Sequence, residues 1–174
     1  MFTNRLNNII FFACSEGGHF AQMMALKELF GKYLSVFVTD NYRATKDLPA
    51  LKEVQTIEYV GGVADSRKKN AGNSHNDSRW TYMRGYLKLF GQCMKVLKNY
   101  RPKVIVSTGS NVAVPLFWFG KLMGCKLIFI ETRAHVYNKS LTGKLVGCIS
   151  DVVIVQWKEM LNVYKNAEYY GVLV

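Results

Sequence analysis

The chain has 174 residues, 49% hydrophobic and 20% charged, which fits one packed globular domain and excludes disordered, collagen-like and coiled-coil chains. Twenty-three Lys and Arg against twelve Asp and Glu leave a formal charge of +11, which favours an anionic partner such as phosphate, nucleotide, nucleic acid or an acidic membrane surface. The longest apolar run, 112–119, falls far short of the roughly 20 residues that cross a bilayer, and the N-terminus lacks a secretory h-region and cleavage site.

Residues 8–14 form a short apolar run that ends in Ser15-Glu16-Gly17-Gly18-His19, the pattern of a buried strand feeding a turn. Met23, Met24, Leu26, Leu29 and Phe30 then fall at helical spacing over 20–30, with Gly31 placed as a C-terminal cap. Strands are expected at 34–39 and 56–60. The stretch 61–79 is rich in Gly, Asn, Ser and charge, with Arg67, Lys68, Lys69 and Arg79, and reads as a long loop. A helix follows over 80–99. One of its stripes holds Met83, Leu87, Phe90, Met94 and Leu97, an adjacent one Tyr82, Tyr86, Leu89, Cys93 and Val96, and the remaining face is basic.

Residues 104–107 read as a strand, 112–123 as a short apolar helix closed by Gly124, and 126–131 as the next strand. A helix at 141–149, a strand at 151–157, a helix at 158–165 and a last strand at 169–174 complete the pattern. Strands alternating with helices predict a Rossmann-like α/β fold, a parallel sheet with helices on both faces, in one domain over 1–174. The cysteines Cys14, Cys93, Cys125 and Cys148 lack paired spacing, so buried or inert thiols in a reducing cytosol are expected, and no metal site.

In such a sheet, ligands bind beyond the carboxyl ends of the strands, and three sequence features converge there. In the first, Gly17 and Gly18 let the backbone of a strand-to-helix turn approach a phosphate, although the same glycines also suit a tight turn that binds nothing. The dinucleotide fingerprint GxGxxG is absent. His19, in the first helical turn, is a candidate general base: the helix dipole favours a neutral imidazole there, while a bound diphosphate pushes the other way. A structural or substrate-orienting histidine is the alternative. In the second feature, Ser107-Thr108-Gly109-Ser110-Asn111, hydroxyls and backbone donors can hold a phosphate or sugar, and Ser110 or Asn111 can instead cap the following helix. No GxSxG nucleophile motif is present.

In the third, Glu131 and Arg133 lie on one side of an extended chain, where they can pair with each other or touch a substrate. The helices at 80–99 and 112–123 are apolar over more of their circumference than one core contact requires. Trp80, Tyr82, Arg84 and Trp118 therefore suggest a membrane or partner contact, with ordinary core packing as the alternative.

The stretches IIFFACSEGGHFAQMMALKELF, STGSNVAVP, IFIETRAHV and SLTGKLVGCISDVVIVQWKEM, spread from about residue 8 to 174, resemble PssD-type polysaccharide biosynthesis proteins. These are related to the membrane-recruiting, acceptor-side subunit of the split UDP-N-acetylglucosamine transferase of N-glycan synthesis. The resemblance implies the N-terminal half of a GT-B glycosyltransferase, similar to that of MurG. It also implies a donor-binding partner subunit, a polyprenyl-diphosphate-linked sugar as acceptor, and work in exopolysaccharide or capsule synthesis.

By position, Ser15, Gly17 and Gly18, together with Ser107, Thr108, Gly109, Ser110 and Asn111, would line the acceptor diphosphate site, and His19 would be the base or orienting group. Gly109 would be the least replaceable. The eukaryotic relatives begin with a membrane-spanning helix that this sequence does not show, so the expected location is peripheral, at the cytoplasmic face of an anionic membrane. No organic cofactor is expected. A self-sufficient small nucleotide- or phosphate-binding enzyme is the alternative. A nucleic-acid partner is not expected, because the basic residues are dispersed and no nucleic-acid motif appears.

Overall fold

The computed structural model describes residues 8–40, 51–61 and 77–173, with side chains in the last segment from residue 83. Seven strands carry the fold: β1 (Ile9–Ala13), β2 (Leu34–Thr39), β3 (Thr56–Tyr59), β4 (Val104–Ser107), β5 (Lys126–Ile130), β6 (Val152–Val155) and β7 (Ala167–Tyr169). They pair in parallel in the order β3-β2-β1-β4-β5-β6-β7, with Phe11 of β1 opposite Val36 on one side and Ile105 on the other. Among the described residues four α-helices accompany them: α1 (Gly18–Met24), α2 (Asp77–Tyr100), α3 (Ala113–Leu122) and α4 (Leu141–Val146).

Strand side chains alternate between the two faces, and each face has its own core. Phe11, Val36, Val38, Ile105, Leu127, Phe129, Val153 and Val155 pack under α2, α3 and α4. Phe12, Phe37, Val106 and Ile130 point the other way, beneath Met23 of α1, Phe30, Leu51 and Val54. Both faces are covered, so the strands are continuously apolar, as a parallel sheet requires. Cys14, Cys93 and Cys125 are buried in these cores and Cys148 is exposed; all four are free thiols. Burial pushes the Cys93 thiol up to about 12, with the charge of Asp40 adding to it.

Several helix boundaries differ from those the periodicity predicts. The helix expected over 20–30 is α1 followed by a 3-10 turn, Lys27–Leu29. The tightening drives Phe30 into the core, with its ring centroid 4.8 Å from that of Phe12. Gly31 is not left-handed and caps nothing, whereas Gly124, at φ +78, does turn the chain after α3. α2 covers Asp77–Tyr100, so helix is already present before the predicted 80.

The helix expected at 158–165 is a 3-10 turn, Lys158–Asn162. The last strand lies at Ala167–Tyr169 rather than 169–174, because Gly171 (φ +104) redirects the chain. Leu173 then donates its N–H to Gln156 Oε1 and packs against the smaller core. Of the predicted loop, Arg67, Lys68 and Lys69 lie outside the described residues, as do the side chains of Arg79, Trp80 and Tyr82.

Candidate functional site

The strand order reverses its direction of growth at β1, so the crevice beyond the carboxyl ends of β1 and β4 is the topological switch point of the sheet. The loops that follow these two strands are the two glycine turns singled out in the sequence. They interlock. His19 Nδ1 lies 2.7 Å from the Thr108 carbonyl, and Thr108 Oγ1 donates to the His19 carbonyl at 2.7 Å. A carbonyl only accepts, so Nδ1 carries a hydrogen, which leaves Nε2 of the neutral ring with its lone pair.

Gly109 makes this seat possible. Its φ is +109, and a Cβ there would stand 2.8 Å from His19 Cε1 and 2.9 Å from Nδ1. Gly17, at φ +80, turns the chain into α1, and both Gly17 and Gly18 have open space where a Cβ would be. No side chain caps α1.

The hydroxyls expected to serve a ligand divide into two groups. Ser107 and Thr108 are fully buried and do not offer theirs: Ser107 Oγ donates to the Ala13 carbonyl (2.7 Å) and accepts from Gly109 N (3.1 Å), which ties β4 to β1. Ser15 Oγ and Ser110 Oγ are buried without a hydrogen-bond partner among the described residues. Gln22 Oε1, one helical turn beyond His19, is in the same condition. A buried hydroxyl or amide left unpaired costs roughly 1–3 kcal/mol, which a bound ligand can recover.

Ser110 also sits at φ +104, a backbone few non-glycine residues adopt. Neither Ser110 nor Asn111 caps α3. Val112 occupies the N-cap position, no side chain caps it, and Asn111 Oδ1 instead accepts from Tyr86 OH at 3.3 Å.

Glu131 does not pair with Arg133. It is 1% exposed, and its carboxylate accepts hydrogen bonds from Tyr164 OH, from Thr132 N (2.8 Å) and from Ser140 N (3.1 Å). It is a buried hub that closes the 132–140 loop. Arg133 is exposed, and its carbonyl accepts from Trp157 Nε1 at 2.8 Å. Burial and the neighbouring Glu131 carboxylate together push the Tyr164 phenol above its usual range.

Arg84 is exposed and Trp118 is 47% exposed, on the outward sides of α2 and α3. Around them Met83, Leu87, Leu122, Leu141 and Leu145 are also exposed, on three helices that pack side by side. Among the described residues no helix is long and apolar enough to cross a membrane. Nor does any group of three or more His, Cys, Asp or Glu among them suit a metal ion.

The family model for "Oligosaccharide biosynthesis protein Alg14 like" matches residues 9–173, both glycine loops included. The chain belongs to the Alg14 family. It is 32% identical over 172 residues to the UDP-N-acetylglucosamine transferase subunit ALG14 of Candida albicans, covering 91% of this chain and 75% of that protein. The Debaryomyces hansenii protein of the same name is 29% identical over 184 residues, with 98% and 78% covered.

Among solved structures, MurG of Acinetobacter baumannii superposes with a TM-score of 0.68 at 14% identity, over 93% of this chain but 45% of that one. The fold expected for the N-terminal half of a GT-B glycosyltransferase is therefore the fold found. The Alg14 relatives carry the name of a transferase subunit, which agrees with the oligosaccharide side of the expected family. Those names give no support to a PssD-type exopolysaccharide or capsule setting.

Proposed function

We propose that this Alg14-family chain is the acceptor-binding subunit of a two-component UDP-N-acetylglucosamine transferase that extends a polyprenyl-diphosphate-linked oligosaccharide. The observation that carries this reading is the interlocked pair of glycine loops at the switch point. It fixes one imidazole through Nδ1, near buried serine hydroxyls that lack partners among the described residues. The Alg14 relatives are named as subunits of a UDP-N-acetylglucosamine transferase, which supports placing the donor nucleotide on a partner.

In this reading Ser15, Gly17, Gly18, Gly109, Ser110 and Asn111 cradle the acceptor diphosphate. His19 Nε2 takes the proton of the attacking acceptor hydroxyl as the new bond to the sugar carbon forms and the bond to UDP breaks. The exposed apolar residues of α2, α3 and α4, with Arg84 and Lys88 nearby, rest against the anionic cytoplasmic face of the membrane that holds the polyprenyl chain. The relatives' names favour N-acetylglucosamine as the transferred sugar, and the family's description favours an oligosaccharide product over an exopolysaccharide.

Calorimetry on the isolated chain tests the reading with two probes. Farnesyl diphosphate, a short polyprenyl diphosphate, is expected to bind, and UDP-N-acetylglucosamine is not. Tight binding of the nucleotide sugar with none of the prenyl diphosphate would favour a self-sufficient nucleotide-binding enzyme instead.

A further inference from the structure

Ser110 holds an uncommon left-handed backbone, φ +104, and a buried hydroxyl without a partner among the described residues. Within its own stretch of chain, the Ser110 carbonyl accepts from Ala113 N at 3.2 Å. Two hydroxyl groups reach the loop from other elements. The Ser110 N–H donates to Thr142 Oγ1 on α4 at 3.3 Å, and Tyr86 OH on α2 donates to Asn111 Oδ1 at 3.3 Å.

The Thr142 tether has a firm base. Ser140 Oγ caps α4 by accepting from Gly143 N at 2.9 Å. Gly143 in α4 and Gly147 at its C-cap leave just enough room for the Tyr164 ring. A Cβ at Gly147 would lie 2.4 Å from Tyr164 Cε1, and one at Gly143 would overlap the Tyr164 hydroxyl and the Glu131 carboxylate. Tyr164 is itself held by Glu131. The position of Thr142 is thus dictated by a buried network, and the serine loop leans on it.

We infer that Thr142, with Tyr86 as a second tether, is a positioning residue for the acceptor diphosphate. It keeps Ser110 in its left-handed backbone, so that the unpartnered hydroxyl stays at the crevice. Thr142 touches neither substrate nor reacting atoms; it acts through Ser110. This inference rests on the acceptor-binding reading above, but its first consequence, the hold on the Ser110 amide, does not.

The experiment compares Thr142→Val, Thr142→Ser and Tyr86→Phe in the full chain, by amide hydrogen exchange and by calorimetry with farnesyl diphosphate. Thr142→Val removes the acceptor oxygen at nearly constant volume. It is expected to speed exchange at the Ser110 amide and weaken the probe by about fivefold, the worth of one hydrogen bond. The unfolding midpoint should stay close to that of the parent chain. Thr142→Ser should restore both quantities, and Tyr86→Phe should weaken the probe by a smaller factor.

Equal exchange and equal affinity in parent and Thr142→Val would overturn the tether, as would failure of Thr142→Ser to rescue. Absence of probe binding by the parent chain would instead defeat the acceptor reading, while the exchange data would still decide whether Thr142 holds Ser110.

Discussion

Gly109→Ala is expected to lower the turnover of the assembled transferase by about 100-fold, the scale of loss that an ångström of misplacement causes. The new methyl group would stand 2.8 Å from His19 Cε1 in a residue already at φ +109. The loop cannot retreat, because Ser107 Oγ fastens it to the Ala13 carbonyl and Thr108 Oγ1 fastens it to the His19 carbonyl. The imidazole must therefore move, and its 2.7 Å contact from Nδ1 to the Thr108 carbonyl is lost. The strained backbone should also cost about 1–3 kcal/mol of stability, visible in denaturant unfolding. Gly17→Ala provides the control. Its φ of +80 carries a similar backbone penalty, yet no atom lies within 4 Å of the added methyl, so a smaller loss of turnover is expected. Equal turnover in the Gly109→Ala protein and its parent would show that the seat of His19 is not needed for transfer.

Glu131→Ala should cause the largest loss of stability, about 3–5 kcal/mol, which is a large part of the roughly 5–15 kcal/mol that holds a domain folded. The truncation leaves Tyr164 OH, Thr132 N and Ser140 N without their acceptor in a site that is 1% exposed. Tyr164→Phe removes only one of these donors and should cost about 1–2 kcal/mol. The pH dependence has a definite sign. The folded phenol holds its proton more tightly than the unfolded one, so its contribution is complete below the unfolded value of 10.0 and is lost as pH climbs above it. Chemical unfolding of the parent and of Tyr164→Phe between pH 8 and about 11 checks this: the gap between them should narrow at the alkaline end. Parent-like stability in the Glu131→Ala protein would mean that the hub is dispensable.

The strands were legible because each is a short apolar run bounded by turn residues, and β2 and β4 fall where periodicity puts them. The two glycine turns were legible for a related reason, since strand, glycine and helix in sequence mark the ligand edge of a parallel sheet. Other features depend on contacts across the chain. Periodicity in α2 offers two apolar stripes, but only tertiary packing decides that Leu89, Cys93, Val96 and Leu97 are buried while Met83 and Leu87 face outward. Glu131 and Arg133 share one side of an extended chain. The phenol that captures Glu131 comes from Tyr164, beyond another helix and another strand. Gln22 and Thr142 sit inside the family-like stretches with no role read for them, and Tyr86 reads only as part of an apolar stripe. Each gains its interest from a neighbour, or from the lack of one, that local sequence does not specify.

Transfer from UDP-N-acetylglucosamine to a polyprenyl-diphosphate-linked acceptor, measured with this chain, with its donor-binding partner and with the two mixed, is the most direct test of a divided enzyme. Turnover is expected from the mixture and from neither component by itself. Transfer by this chain alone, at the rate of the mixture, would contradict it.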